Sequence, residues 1–318
     1  MDFLVGNFGW NTKYHANSKK PALLYYGDFE ENGNYRLVEA EYEDSTLFPV
    51  RGKSCSTNAM PFLGNKFTKF HDFAIASLDE IYTEPKLEKA QRFEINSLES
   101  GALINDGNGN FRFEPFPTLA QVAPVFGIST LDANNDGIAD VILAQNFFGP
   151  QAETGRFDGG VSLLLLGEGD GTFRTVPAHE SGIVIPGDAT ATTLVDLDND
   201  GQAELFVASN DGPCYGFRQT QAHDSLTVTA ATGHGLPIGT RVLIRYAGGQ
   251  QELHEVSAGR GYLSQSDTTL RISRPDQIEA IDIIWPSGNQ EIIENLEELR
   301  KTRQLRLQPQ ATLETAAS

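Results

Sequence analysis

The chain has 318 residues, 39% of them hydrophobic, which is room for two domains or for one large β domain with a small companion. Its formal net charge is −19, and no basic cluster stands ready to meet phosphates, so nucleic acid is excluded as the expected partner. No apolar run approaches a membrane span, VSLLLLG being about the longest, and Cys55 and Cys214 alone make no disulfide framework.

The opening MDFLVGNFGWNT has Asp2, then Phe3, Leu4, Val5 and Gly6, then Asn7. The same order returns in DVILAQN from Asp140 and in ELFVASN from Glu204. The opening therefore reads as the second half of a repeat unit. The next stretch, GDFEENGNYRLVEA, places Asp28, Glu30, Asn32, Gly33 and Asn34 as a tight acidic turn. Arg36 stands where a ninth-position ligand belongs, so this copy is expected to have kept its turn and lost or weakened its ion.

Residues 60–95 interrupt the β pattern. Phe62, Phe67, Phe70, Phe73, Ala74, Leu78 and Ile81 follow helical spacing, and Pro85 is expected to end the first helix. A helical insertion over about 60–92, packed against the β region, is the expectation. His71 lies within it and reads as a packed or surface residue. Beyond it, SGALINDGNGNFRFEPFP and GGVSLLLLGEGDGTFRTVP each spell a hairpin.

Each hairpin precedes an acidic loop. LDANNDGIAD carries Asp132, Asn134, Asp136, Gly137, Ile138 and Asp140. VDLDNDGQAE carries Asp196, Asp198, Asp200, Gly201, Gln202 and Glu204. Oxygen-bearing side chains at positions 1, 3, 5 and 9 point at one centre, and a hard cation with oxygen ligands relieves their repulsion. Glycine at position 6 lets the chain turn, and position 7 (Ile138 or Gln202) would give its carbonyl. The loops are not EF-hands: position 12 is Leu143 or Val207, and a strand follows each loop instead of a helix. A solvated Asx-rich turn is the competing reading of one copy; two copies 64 residues apart, from 132 to 196, favour calcium. The step from 28 to 132 leaves room for two units with one loop erased. Sequential four-stranded units of this size suit a β-propeller, with a solenoid or sandwich as runner-up.

From about residue 222 the acidic loops cease and strands come quickly: DSLTVTA, GTRVLIRYAG, QELHEVSAG, TTLRISR, AIDIIWPSG and RQLRLQPQ. Gly248–Gly249 is a hairpin turn signal. A small all-β module over 222–309 and a disordered tail over 310–318 are expected. Trp285 and Tyr262 read as core or turn residues of this module.

The loop-plus-strand units resemble FG-GAP/VCBS repeats, the calcium-binding propeller repeats also seen in integrin α subunits. The C-terminal module is similar to the ASPIC/UnbV domain, through GLPIGTRV (235–242), SAGRGYLSQSD (257–267) and WPSG (285–288). The resemblance implies an all-β chain: a propeller, typically of about seven blades, followed by a small β module. It implies Ca2+ at positions 1, 3, 5, 7 and 9 of each intact loop, 132–140 and 196–204. Three to four blades are expected over 1–221, so upstream blades or a partner would complete the ring.

The histidines form no H-E-x-x-H, the serine of GISTL (Ser129) lacks the closing glycine of a nucleophile elbow, and no glycine-rich phosphate loop precedes a helix. A calcium-binding scaffold or adhesion module outside the cell, for a protein or glycan ligand, is therefore the expected function, and the chain is expected not to be an enzyme. Calcium loops of modest affinity fill outside cells, so an exported or periplasmic protein is expected, its targeting segment absent from this sequence. The alternative is a polysaccharide-acting enzyme with its site in the propeller loops. Phe147, Phe148 and Trp10 are aromatic candidates for sugar contact or, more simply, for packing.

Overall fold

The computed structural model describes residues 2–150, 154–221, 224–231 and 236–308. The chain forms two compact units, one from residues 1–7 and 100–318 and one from residues 8–99. Strand β1 (Phe3–Val5) belongs to the first; the chain then builds the second before returning.

The second unit holds β2 (Ala22–Gly27), β3 (Arg36–Glu43) and β4 (Thr46–Pro49), then α1 (Lys53–Ala59), α2 (Phe62–Lys66), α3 (Phe70–Ala74), α4 (Leu78–Tyr82) and α5 (Glu84–Lys89), and finally β5 (Gln91–Ile95). The strands form one antiparallel sheet in the order β4-β3-β2-β5. Period-2 alternation sends Leu23 and Tyr25 of β2, with Val38 and Ala40 of β3, to one face. There they pack on Met60, Leu63, Phe73, Ile81 and Tyr82 from the helical segment.

That segment differs from the expected first helix running up to Pro85. It starts earlier, at Lys53, and is cut into one- and two-turn pieces. Pro61 caps α2, and Ser77 caps α4 through a reciprocal box with Glu80. Pro85 lies in the first turn of α5, where its missing N–H costs nothing, so it starts a helix instead of ending one. The insertion is also larger than 60–92, because the helices share a core with the sheet that surrounds them in sequence.

In the first unit, β6 (Gly101–Asn105) and β7 (Phe111–Pro115) form the hairpin expected from NDGNGN, whose Gly107 and Gly109 take positive φ. β6 pairs on its other side with β1, Phe3 facing Leu103. Residues 8–99 therefore interrupt a single sheet, β1-β6-β7, instead of adding a sequential unit. Next come β8 (Val125–Leu131), β9 (Asp140–Gln145), β10 (Leu163–Gly167) and β11 (Phe173–Val176), paired in the order β11-β10-β9-β8. A short α6 (Ala178–Ser181) leads to β12 (Ala189–Val195), β13 (Glu204–Ser209) and β14 (Cys214–Phe217), a third antiparallel sheet.

These sheets stack face to face. Every residue of β9 is buried: Val141 and Leu143 join Ala102 and Leu165 in one core, while Ile142 and Ala144 join Ile185 and Val207 in the next. The near-continuous apolar run VILA is what a strand covered on both faces requires. Between the second and third sheets, Ser129 Oγ donates to Thr192 Oγ1 at 2.7 Å, so each buried hydroxyl has a partner.

The C-terminal module contains β15 (Ser225–Ala230), β16 (Arg241–Tyr246), β17 (Gln251–Glu255), β18 (Leu270–Ser273), β19 (Ile278–Ile284), β20 (Gln290–Ile293), α7 (Glu297–Thr302) and β21 (Gln304–Leu307). Two sheets, β18-β15-β21 and β17-β16-β19-β20, enclose a core that includes Val228, Val242, Ile244, Ile281 and Trp285. Trp285 is thus a core residue and Tyr262 a turn residue, both as expected; Tyr262, 44% exposed, sets its ring 5.1 Å from that of Phe126. The sequence pattern did not announce β20, whose residues are mostly exposed, or α7. The chain is all-β with short helices, and no helix is long and apolar enough to cross a membrane. The tail expected to be disordered, 310–318, lies outside the described residues.

Candidate metal centre

The first complete loop joins β8 to β9. Asp132 accepts from two loop amides, Asp136 N on Oδ1 at 3.1 Å and Gly137 N on Oδ2 at 2.7 Å. Asp136 Oδ1 accepts from Ile138 N at 2.7 Å, and Asn134 Oδ1 accepts from Asp136 N at 3.0 Å. Asn135 and Gly137 take φ of 62° and 79°, the left-handed turn that aspartate-rich loops tolerate and glycine favours. Asp140, at position 9, is fully buried and accepts from Ala133 N at 2.7 Å and Gly167 N at 2.9 Å. Burial pushes its carboxyl up to about 6 against the pull of those two amides, with Asp132 and Asp136 adding repulsion.

The second loop joins β12 to β13 and repeats the backbone hydrogen bonds that close the first on its aspartates. Asp196 accepts from Asp200 N at 3.1 Å and Gly201 N at 2.9 Å, Asp200 Oδ1 accepts from Gln202 N at 2.8 Å, and Glu204 Oε2 accepts from Leu197 N at 3.0 Å. Asn199 and Gly201 have φ of 61° and 91°, matching positions 4 and 6 of the first loop. Asp196, Asp198 and Glu204 bring one carboxylate oxygen each within 4.8 Å of one another. Such a set of hard oxygens suits a divalent cation of the calcium class. Asp132, Asn134, Asp136, Ile138 and Asp140 thus share one loop, as do Asp196, Asp198, Asp200, Gln202 and Glu204.

The two loops differ in their positive neighbours. Arg218 pairs with Asp198 and, through Nη2 at 3.1 Å, with Glu204. These contacts, Asp198 foremost, raise its guanidinium further above its ordinary range. Arg271 of β18 stands 4.0 Å from Asp196 Oδ2 and is held by Asp267 at 2.9 Å. At the first loop Arg274 reaches only a backbone carbonyl, that of Gly137, at 3.4 Å. Sequence reading overlooked these arginines. Arg218 had one usable signal: in the β13–β14 hairpin Leu205 faces Phe217, which sets residue 218 opposite 204.

The weaker candidate, in the second unit between β2 and β3, shares the backbone. Asp28 accepts from Asn32 N at 3.2 Å and Gly33 N at 2.7 Å, Asn34 N donates to Asn32 Oδ1 at 2.9 Å, and Glu31 and Gly33 have φ of 57° and 85°. The Gly33 amide is the chief cause that holds the Asp28 carboxyl below its usual range. At position 9 Arg36 lies 4.0 Å from Glu30, so a cation is covalently built in. Asp2, by contrast, has its strand register: Asn105 N donates to it at 2.8 Å, as Gly167 N does to Asp140.

Phe147 packs on Phe126 at 5.3 Å between ring centres, Phe148 stacks under Arg156, and Trp10 is 52% exposed in the other unit. Compared with known families, residues 231–312 match the family model described as ASPIC and UnbV, which covers the C-terminal module from the end of β15 onward. No curated protein matches the chain.

Proposed function

We propose that the chain is a calcium-stapled binding or scaffold module that works outside the cell, in which FG-GAP/VCBS-like blades precede the ASPIC/UnbV module. The observation that carries this reading is the congruence of loops 132–140 and 196–204, which share one backbone path and one pattern of amide donors, together with the acidic oxygens that converge in loop 196–204. A common cation would relieve the repulsion within two loops so rich in negative charge and accounts for their shared acidic positions. The ion would be held by positions 1, 3, 5 and 9 and the carbonyl of position 7. Bound only by the folded chain, it adds stability by mass action and fixes the β8–β9 and β12–β13 junctions. Millimolar extracellular calcium fills such sites even at modest affinity. The ligand of the scaffold is a protein or glycan.

Thermal unfolding with and without EDTA tests the reading. Calcium raises the melting temperature, and Asp132→Ala and Asp196→Ala each remove part of that rise. A melt that EDTA leaves unchanged overturns it.

A further inference from the structure

The three loops with the same backbone carry a graded internal positive charge. Among the described residues, no lysine or arginine pairs with Asp132, Asp136 or Asp140. In loop 196–204 Arg218 bridges position 3 to position 9, from Asp198 to Glu204. In loop 28–36 position 9 is itself Arg36, beside Glu30.

We infer that Arg218 is a built-in counter-ion of loop 196–204, which calcium must displace, so that this loop binds calcium more weakly than loop 132–140. The inference rests on the calcium reading above. Arg218 pairs with the two opposite walls of the loop, the third and ninth positions that a metal would draw together. Its side chain is 60% exposed, so it can swing into solvent while the loop stays in place. Arg271 behaves differently: its side chain is 18% exposed and Asp267 grips it with two hydrogen bonds, at 2.9 and 3.1 Å, so it remains beside Asp196.

Charge explains why the displacement is needed. Loop 132–140 offers three carboxylates and one amide, and loop 196–204 offers four carboxylates. Arg271 stands beside the second loop as Arg274 stands beside the first, so Arg218 is the one extra cation, and calcium meets all four carboxylates only if it moves away. Breaking the exposed pair with Asp198 and the pair with the buried Glu204 weakens binding by about three- to tenfold.

Calorimetric titration of the full chain with calcium chloride at low ionic strength tests this, on an Asp132→Asn background that leaves loop 196–204 as the remaining site. Arg218→Gln tightens that site about three- to tenfold, Arg218→Lys changes it less, and molar salt narrows the gap. A second readout is independent of resolving two binding constants. Without calcium, Arg218→Gln lowers the melting temperature, since Asp198 and Glu204 lose their counter-charge; with calcium the rise is larger than in the parent. Unchanged or weaker binding in Arg218→Gln overturns the inference and leaves the calcium reading standing. No calcium binding by the parent chain overturns both.

Discussion

Loops 132–140 and 196–204 have one backbone and two environments. The residues inside each loop dictate the path: amides of positions 5 and 6 close on the first aspartate in both. The neighbouring elements dictate the electrostatics. Asp140 is sealed between stacked sheets and meets only amides and other acids, whereas Glu204 reaches an exposed arginine. A motif therefore specifies a shape, and the packing around it specifies how strongly that shape holds charge.

The largest contrast is expected at position 9. Asp140→Ala strands the buried amide of Gly167 and the half-buried amide of Ala133, and should cost about 2–4 kcal/mol in calcium. Glu204→Ala strands one amide, of Leu197, and frees an arginine that turns to solvent, and should cost about half of that. Urea titration of both variants checks the order, and a greater loss at Glu204 would break the comparison. Position 6 comes next. Gly137 and Gly201 both have positive φ, but a methyl on Gly137 would also run into the Arg274 guanidinium, whereas on Gly201 it meets only Thr227 Oγ1 at 3.6 Å. Each change should cost about 1 kcal/mol, Gly137→Ala slightly more by the shift it asks of the Arg274 side-chain end.

Acidity sharpens the contrast further. The folded, metal-free chain holds a proton on Asp140 up to about pH 6, above the ordinary 3.8. The folded state binds more protons than the unfolded one between those values, so metal-free stability rises as pH falls through 6 towards 4. Calcium has to expel that proton, so its affinity for loop 132–140 should fall below about pH 6. Melting curves in EDTA and calcium titrations at pH 5 and 7 measure both signs. The smallest effect is a gain: Arg36→Asp restores an acid at position 9 of the third loop and should add one weak calcium equivalent by titration.

Much of this was legible in the sequence because the signals are local. Period-2 runs and glycine turns marked both hairpins and most C-terminal strands, and the acidic spacing marked both loops. The pairing of β1 with β6 left no such trace: Leu103 faces Phe3 across a separate unit, and loop closure over that distance depends weakly on what fills it. The helical segment misled because Pro61, Ser77 and Thr83, the last with φ of 66°, cut one periodic pattern into pieces. Arg218, Arg271 and Arg274 escaped because their importance lies in what they face.

Anomalous diffraction from crystals grown in calcium tests the central claim most directly. Peaks in loops 132–140 and 196–204, with none in 28–36, are the expected result. Density without a peak in either of the first two loops would contradict the account.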